Sequence, residues 1–186
     1  MALNDVMFDL ETLSREPGAV VLGIAAVRFD PRGTRIADEF SLRLPAQEQI
    51  DAGAHVEFET LRWWMRQSQE ARAASFDGPC AQTVADGLHK FGRYLARIPA
   101  EKLRLWSNGP SFDGAQLRRL YQRAGVPWPV RYNAERDCRT LYEYGCPCGL
   151  PPGGESDGVA HRAIDDAIAQ ARAVQFCLGG HAQDKP

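Results

Sequence analysis

Apolar residues run almost unbroken over residues 6–10 and 19–29, the second run rich in Val and Ile and closed by the turn former Asp30-Pro31-Arg32-Gly33. Such runs predict strands. Residues 35–44 alternate Ile36, Phe40, Leu42 and Leu44 imperfectly with polar positions, so the first 45 residues predict a three-stranded antiparallel unit. The period then changes. Residues 60–74 predict one helix, and residues 83–97 a second, since Val84, Leu88, Phe91 and Leu95 recur at helical spacing behind Thr83, a residue suited to capping. A brief strand over 103–106 precedes a helix over 112–124, whose stripe of Leu117, Leu120, Tyr121 and Ala124 is stopped by Gly125 and Pro127. Two more helices follow, over about 137–144 and from His161 onward. The last carries Ile164, Ala167, Ile168, Ala171 and Leu178 on a narrow small-residue face, suited to close packing on a sheet, and Gly179-Gly180 ends it. Between them, residues 151–158 are polar and turn-rich, as a mobile surface loop would be. The order predicts an α/β fold: a mixed central sheet of three antiparallel N-terminal strands plus parallel strands, flanked by helices.

Composition narrows the classes. With 186 residues, 44% hydrophobic and 25% charged, the chain has the makings of one globular domain, expected over 1–180 with a disordered tail over 181–186. The longest apolar stretch, 19–27, is far short of the ~20 residues that span a bilayer. The N-terminus has neither a cationic n-region nor an h-region, which favours a cytoplasmic protein with no membrane partner. Five cysteines, an odd number in a chain long enough to build an ordinary core, read as thiols. A net charge of -2 excludes nucleic-acid binding by bulk positive charge, but residues 101–140 hold eight basic side chains against four acidic ones. That segment suits phosphates, and equally a solvated helix face.

Three groups of polar residues stand where chemistry is expected. Asp9 and Glu11 end the first strand, and a period of two points both to one face while Phe8 and Leu10 point to the other. Two carboxylates so placed repel and raise each other's pKa unless a cation lies between them. Asp113 opens a helix after the strand and turn Trp106-Ser107-Asn108-Gly109-Pro110-Ser111-Phe112. His161 stands at the entrance of the last helix, with Asp165 and Asp166 just inside it. Taken singly, each group has a plain explanation: an exposed edge strand, a helix N-cap, a salt-bridged helix terminus. Their joint occurrence in one small chain does not.

The set D-x-E, N-x-x-x-F-D and H-x-x-x-x-D resembles, in order and rough spacing, the three exonuclease motifs of the DEDDh 3′-to-5′ exonucleases, which have a ribonuclease H-like fold. Thr60-Leu61-Arg62-Trp63-Trp64 with Gln67-Ser68, and Arg136-Asp137-Cys138-Arg139-Thr140, are most similar to the branch of small mycobacterial- and phage-type exoribonucleases. The resemblance implies that Asp9, Glu11, Asp113 and Asp166 ligate two divalent ions. Oxygen donors of this kind suit Mg²⁺ or Mn²⁺ rather than Zn²⁺. It implies that His161 is the general base and that the product is a nucleoside 5′-monophosphate. It also implies a homodimer, with RNA 3′ ends as partner ahead of DNA. Thr12 and Leu13 look like contacts for the terminal sugar and base, and Asn108 and Phe112 flank Asp113 as further substrate contacts.

Several choices remain between residues. On a regular helix, His161 would share a face with Asp165, because i+5 is rotated ~140° away. The family pattern selects Asp166, which requires His161 to lie in the loop before the helix. Adjacent tryptophans on a helix point ~100° apart, so at least one belongs to the core. Trp63 is assigned there, and Trp64 is kept as a base-stacking candidate. Arg136 and Arg139 either hold phosphates or pair with Glu135 and Asp137. A zinc cluster of Cys138, Cys146, Cys148 and His161 is the weaker metal reading, because C-x-C lacks the usual ligand spacing. The functional alternatives are a DNA exonuclease of proofreading or repair type and a non-catalytic nucleic-acid-binding module.

Overall fold

The computed structural model describes residues 3–145 and 158–179. Its centre is a five-stranded sheet: β1 (Asp5–Thr12), β2 (Val21–Phe29), β3 (Ile36–Arg43), β4 (Arg104–Ser107) and β5 (Glu135–Asp137), in the order β3-β2-β1-β4-β5. β1, β2 and β3 are antiparallel neighbours, whereas β4 runs parallel to β1 and β5 parallel to β4. The strand period divides the molecule. Val6, Phe8 and Leu10 point into the larger core, with Leu88 and Phe91 of α4 (Val84–Leu95) and Leu117 and Tyr121 of α5 (Ala115–Arg123). Met7 points the other way, into a second core with Trp106, Cys138, Ala167, Ala171 and Val174. Asp9 and Glu11 share Met7's face. That face is covered by α7 (Ala163–Cys177), with α6 (Cys138–Gly145) beside it.

Several elements differ from the sequence expectation, each for a local reason. The single helix expected over 60–74 is two, α2 (Phe58–Trp64) and α3 (Gln69–Phe76). Ser68 breaks the run: its hydroxyl accepts the backbone N–H of Ala71 and caps the second helix. A short α1 (Ala46–Asp51) is seated by Gln49, whose buried amide pairs with both N–H and C=O of Val21, a contact no periodicity announces. β5 has three half-buried polar residues and therefore no apolar signal. The helix expected from Phe112 starts with a π-helical turn, Pro110–Gly114, before α5. Thr83 caps α4 as expected, accepting from the Asp86 N–H at 3.0 Å. Cys146, Cys148, the segment 151–157 and the C-terminal tail lie outside the described residues. Among those described, no helix is long and apolar enough to cross a membrane.

Candidate active site

Three of the four expected acids meet. Asp9 and Glu11 from β1 and Asp166 from α7 offer carboxylate oxygens that all lie within 4.8 Å of one another. The small side chains of Ala167 and Ala171, both fully buried, let α7 lie close on β1 and β2, as the narrow face of the helix anticipated. Among the described residues this is the only such group of three or more possible metal ligands. Cys138 is not in it: its thiol is buried against Met7 Sδ at 3.7 Å. The remaining acid, Asp113, lies on the turn after β4. Gly109 makes that turn possible with a φ of +123°, where a side chain would be strained. Asp113 stands outside the 4.8 Å group, but its charge reaches both Asp9 and Glu11.

The end of α7 separates the two adjacent aspartates. His161 has φ +64° and precedes the helix, so the helical wheel does not govern it. Its backbone N–H donates to Asp166 Oδ2 at 3.1 Å. Asp165 is occupied elsewhere: it accepts the Val159 N–H at 2.9 Å and pairs with Arg162 at 2.6 Å, closing the loop that carries His161. A residue missed by the sequence reading, Gln170, donates from Nε2 to Asp9 Oδ1 at 2.9 Å. The signal for it was available, since it sits four residues after Asp166 and hence on the same helix face.

The electrostatics are those of acids confined without a counter-charge. Burial first, then the charges of Asp9, Asp166 and Asp113, push Glu11 up to about 10. Asp9 is raised well above the carboxylate range by burial and by Asp113, with the Gln170 hydrogen bond opposing. Burial raises Asp113 to about 7 against the pull of Arg139. Asp166 is raised by burial, while His161 draws it back down. Glu11 Oε1 is buried with no hydrogen-bond partner. An orphaned carboxylate oxygen beside two more acids fits a hard divalent cation, which would satisfy the oxygen and remove the repulsion together.

Beside the acids runs a groove of about 480 Å³, whose lining includes Glu11, Thr12, Arg15, Arg62, Trp63 and Arg66. Here the expectation for the tryptophans is reversed. Trp64 is 2% exposed and donates its indole N–H to the Thr12 carbonyl at 2.9 Å, so it anchors α2 to the end of β1. Trp63 is 39% exposed and meets the His161 ring edge-on, centroids 4.6 Å apart. Leu13 packs its side chain into a small core with Val20, Leu22 and Trp64, while Thr12 remains half-buried at the groove. Asn108 and Phe112 are half-buried on either side of the turn. Arg136 pairs with neither Glu135 nor Asp137 side chains. It donates to the carbonyls of Asn133 and Glu135, and Glu135 pairs with Arg118. Asp137 instead caps α6, accepting from Arg139 and Thr140. The exposed Arg139 side chain lies over Gly109, near Asp113.

Comparison with known proteins agrees with this geometry. Residues 4–178 match the Rv2179c-like 3′–5′ exoribonuclease domain. An exodeoxyribonuclease of Enterobacteria phage T4 is 26% identical over 94% of this chain and 88% of its own. Among solved structures, apo Exonuclease I aligns with a TM-score of 0.63 at 18% identity, over 92% of this chain and 41% of that one. Cell-death related nuclease 4 aligns at 0.57 and 15% identity, over 92% of this chain and 62% of the other. This chain therefore spans about two fifths of the length of Exonuclease I, and at these identities the structural likeness concerns the fold. The match over nearly the whole chain, together with the converging acids, places this protein in the Rv2179c-like 3′–5′ exoribonuclease domain family, a branch of the DEDDh 3′–5′ exonucleases.

Proposed function

We propose that this chain degrades RNA from its 3′ end, one nucleoside 5′-monophosphate at a time. The observation that carries the reading is the group of Asp9, Glu11 and Asp166, with its orphaned Glu11 oxygen, set beside His161 and a groove lined by arginines and an exposed tryptophan. Asp9, Glu11 and Asp166, with Asp113 next to them, would hold two divalent ions of the Mg²⁺ or Mn²⁺ class, which would supply Lewis acidity at the scissile phosphate. His161, carried on a loop that Asp165 and Arg162 tie down, takes the proton of the attacking water. Trp63, exposed at the groove beside His161, is the ring on which a base would stack, a contact worth about 1–3 kcal/mol. Arg62 pairs with Glu59 and Arg15 with Glu57, whereas Arg66 has no ion pair among the described residues and is the side chain freest to meet a phosphate. Thr12 at the groove floor contacts the terminal sugar. The family resemblance extends the reading to a homodimer, which light scattering of the purified protein tests.

A DNA exonuclease is the second reading, favoured by the 26% identity to the phage T4 exodeoxyribonuclease. Matched RNA and DNA 3′ overhangs, hydrolysed under the same Mg²⁺ or Mn²⁺ concentration, separate the two. Faster hydrolysis of RNA supports the first reading and faster hydrolysis of DNA the second. A non-catalytic binding module has no need of converging carboxylates, and binding without metal-dependent release of mononucleotides is the result that would favour it.

A further inference from the structure

Gln170 is absent from the acid and histidine motifs, yet its side chain reaches into the carboxylate group. It stands one turn beyond Asp166 on α7, so the two side chains share the face that packs on β1. Its Nε2 donates to Asp9 Oδ1 at 2.9 Å, and its Oε1 is buried with no partner. Burying an amide oxygen without a donor is unfavourable. The contact that orients this amide is therefore at its other end, toward Asp9. From these contacts we propose that Gln170 is a positioning residue for the metal site: its N–H fixes the orientation of the Asp9 carboxylate and thereby sets the affinity of the site for divalent cations.

The inference rests on the metal-dependent reading above, and the physical reason is geometric. A carboxylate pointing from a strand can rotate about its last bond, and a hydrogen bond to one oxygen leaves the other presented in one direction. Partners of this kind, one step removed from a cation, alter metal affinity by about 10–100-fold when removed. Gln170 does not touch the reacting atoms, so its loss should change how much metal is needed more than how fast the loaded site works.

The test uses Gln170→Leu and Gln170→Met, which keep the length or bulk of the side chain and lose the donor. Mn²⁺ binding to the intact protein is read by the loss of the free-ion EPR signal, alongside thermal unfolding in chelator. The expected result is a dissociation constant raised about tenfold in both variants, with the melting temperature in chelator held near that of the parent. The metal concentration for half-maximal nuclease rate should rise by the same factor, while the rate at saturating Mn²⁺ stays within a few-fold of the parent. Unchanged Mn²⁺ affinity in variants that fold overturns the proposal. So does a loss of rate that saturating metal does not restore. A parent protein that binds no Mn²⁺ is a different failure, removing the nuclease reading itself.

Discussion

Replacing Glu11 by Gln should stabilise the metal-free protein and abolish its metal-dependent activity, a combination few substitutions would give. In the folded chain the Glu11 carboxyl titrates at about 10, against an ordinary 4.5. The folded state therefore binds a proton that the unfolded state has released, and stability falls as pH rises through this window. At about pH 7.5 the gap spans roughly three units, or about 4 kcal/mol at ~1.4 kcal/mol per unit. Gln needs no proton to remain neutral, but it places an amide where one oxygen of Glu11 has no partner, a cost of about 1–3 kcal/mol. The net gain is about 1–3 kcal/mol, and a domain of this size gains roughly 2–4 °C in Tm per kcal/mol. Thermal unfolding of both proteins in chelator, at about pH 5 and about pH 7.5, reads the effect. The variant should melt higher at the upper pH, and the advantage should shrink toward the lower one, where the parent takes up its proton at little cost. Added Mn²⁺ should raise the Tm of the parent and leave the variant far less affected. A variant less stable in chelator at the upper pH, or a difference that ignores pH, refutes the reasoning.

Two further pairs of substitutions probe the site. Asp166→Ala should reduce metal-dependent hydrolysis by on the order of 10³-fold or more, measured as mononucleotide release. Asp165→Ala should keep a measurable rate and lose about 1–3 kcal/mol of stability with the Val159 and Arg162 contacts; the opposite pattern reverses the assignment of the two aspartates. Trp63→Ala should raise KM by roughly tenfold through loss of a base stack, with little change in Tm. Trp64→Ala should instead cost about 3–5 kcal/mol of stability, and equal effects of the two on KM and Tm count against the division.

The legible part of the fold was whatever one period could encode. Apolar runs gave β1 and β2, and the 3.6-residue repeat behind Thr83 gave α4, since burial on one face leaves a direct mark on the sequence. β5 and α1 left no such mark: the first is three polar residues held by pairing with β4, and the second is seated largely by polar contacts, the buried Gln49 amide on Val21 and the Glu48 carboxylate on the Val84 N–H. The site divides in the same way. Strand alternation placed Asp9 and Glu11 on one face, but their meeting with Asp166 is a tertiary event that only the motif order foreshadowed. The choice between Asp165 and Asp166 depended on His161 leaving the helix with φ +64°, a backbone fact with no hydrophobic signature. Helical geometry states that two neighbouring tryptophans diverge and not which of them meets the sheet, so the core position expected for Trp63 is taken by Trp64. The indole hydrogen bond to Thr12 settles that.

If the converging acids hold catalytic metal, cleavage must both require a divalent ion and proceed from the 3′ end. The most direct measurement follows a single-stranded oligoribonucleotide labelled at its 5′ end, with Mg²⁺ and with excess chelator. The expected result is a ladder that shortens one nucleotide at a time in Mg²⁺ and an unchanged oligonucleotide in chelator. Immediate appearance of the labelled terminal nucleotide, internal cuts, or shortening that persists in chelator would contradict it.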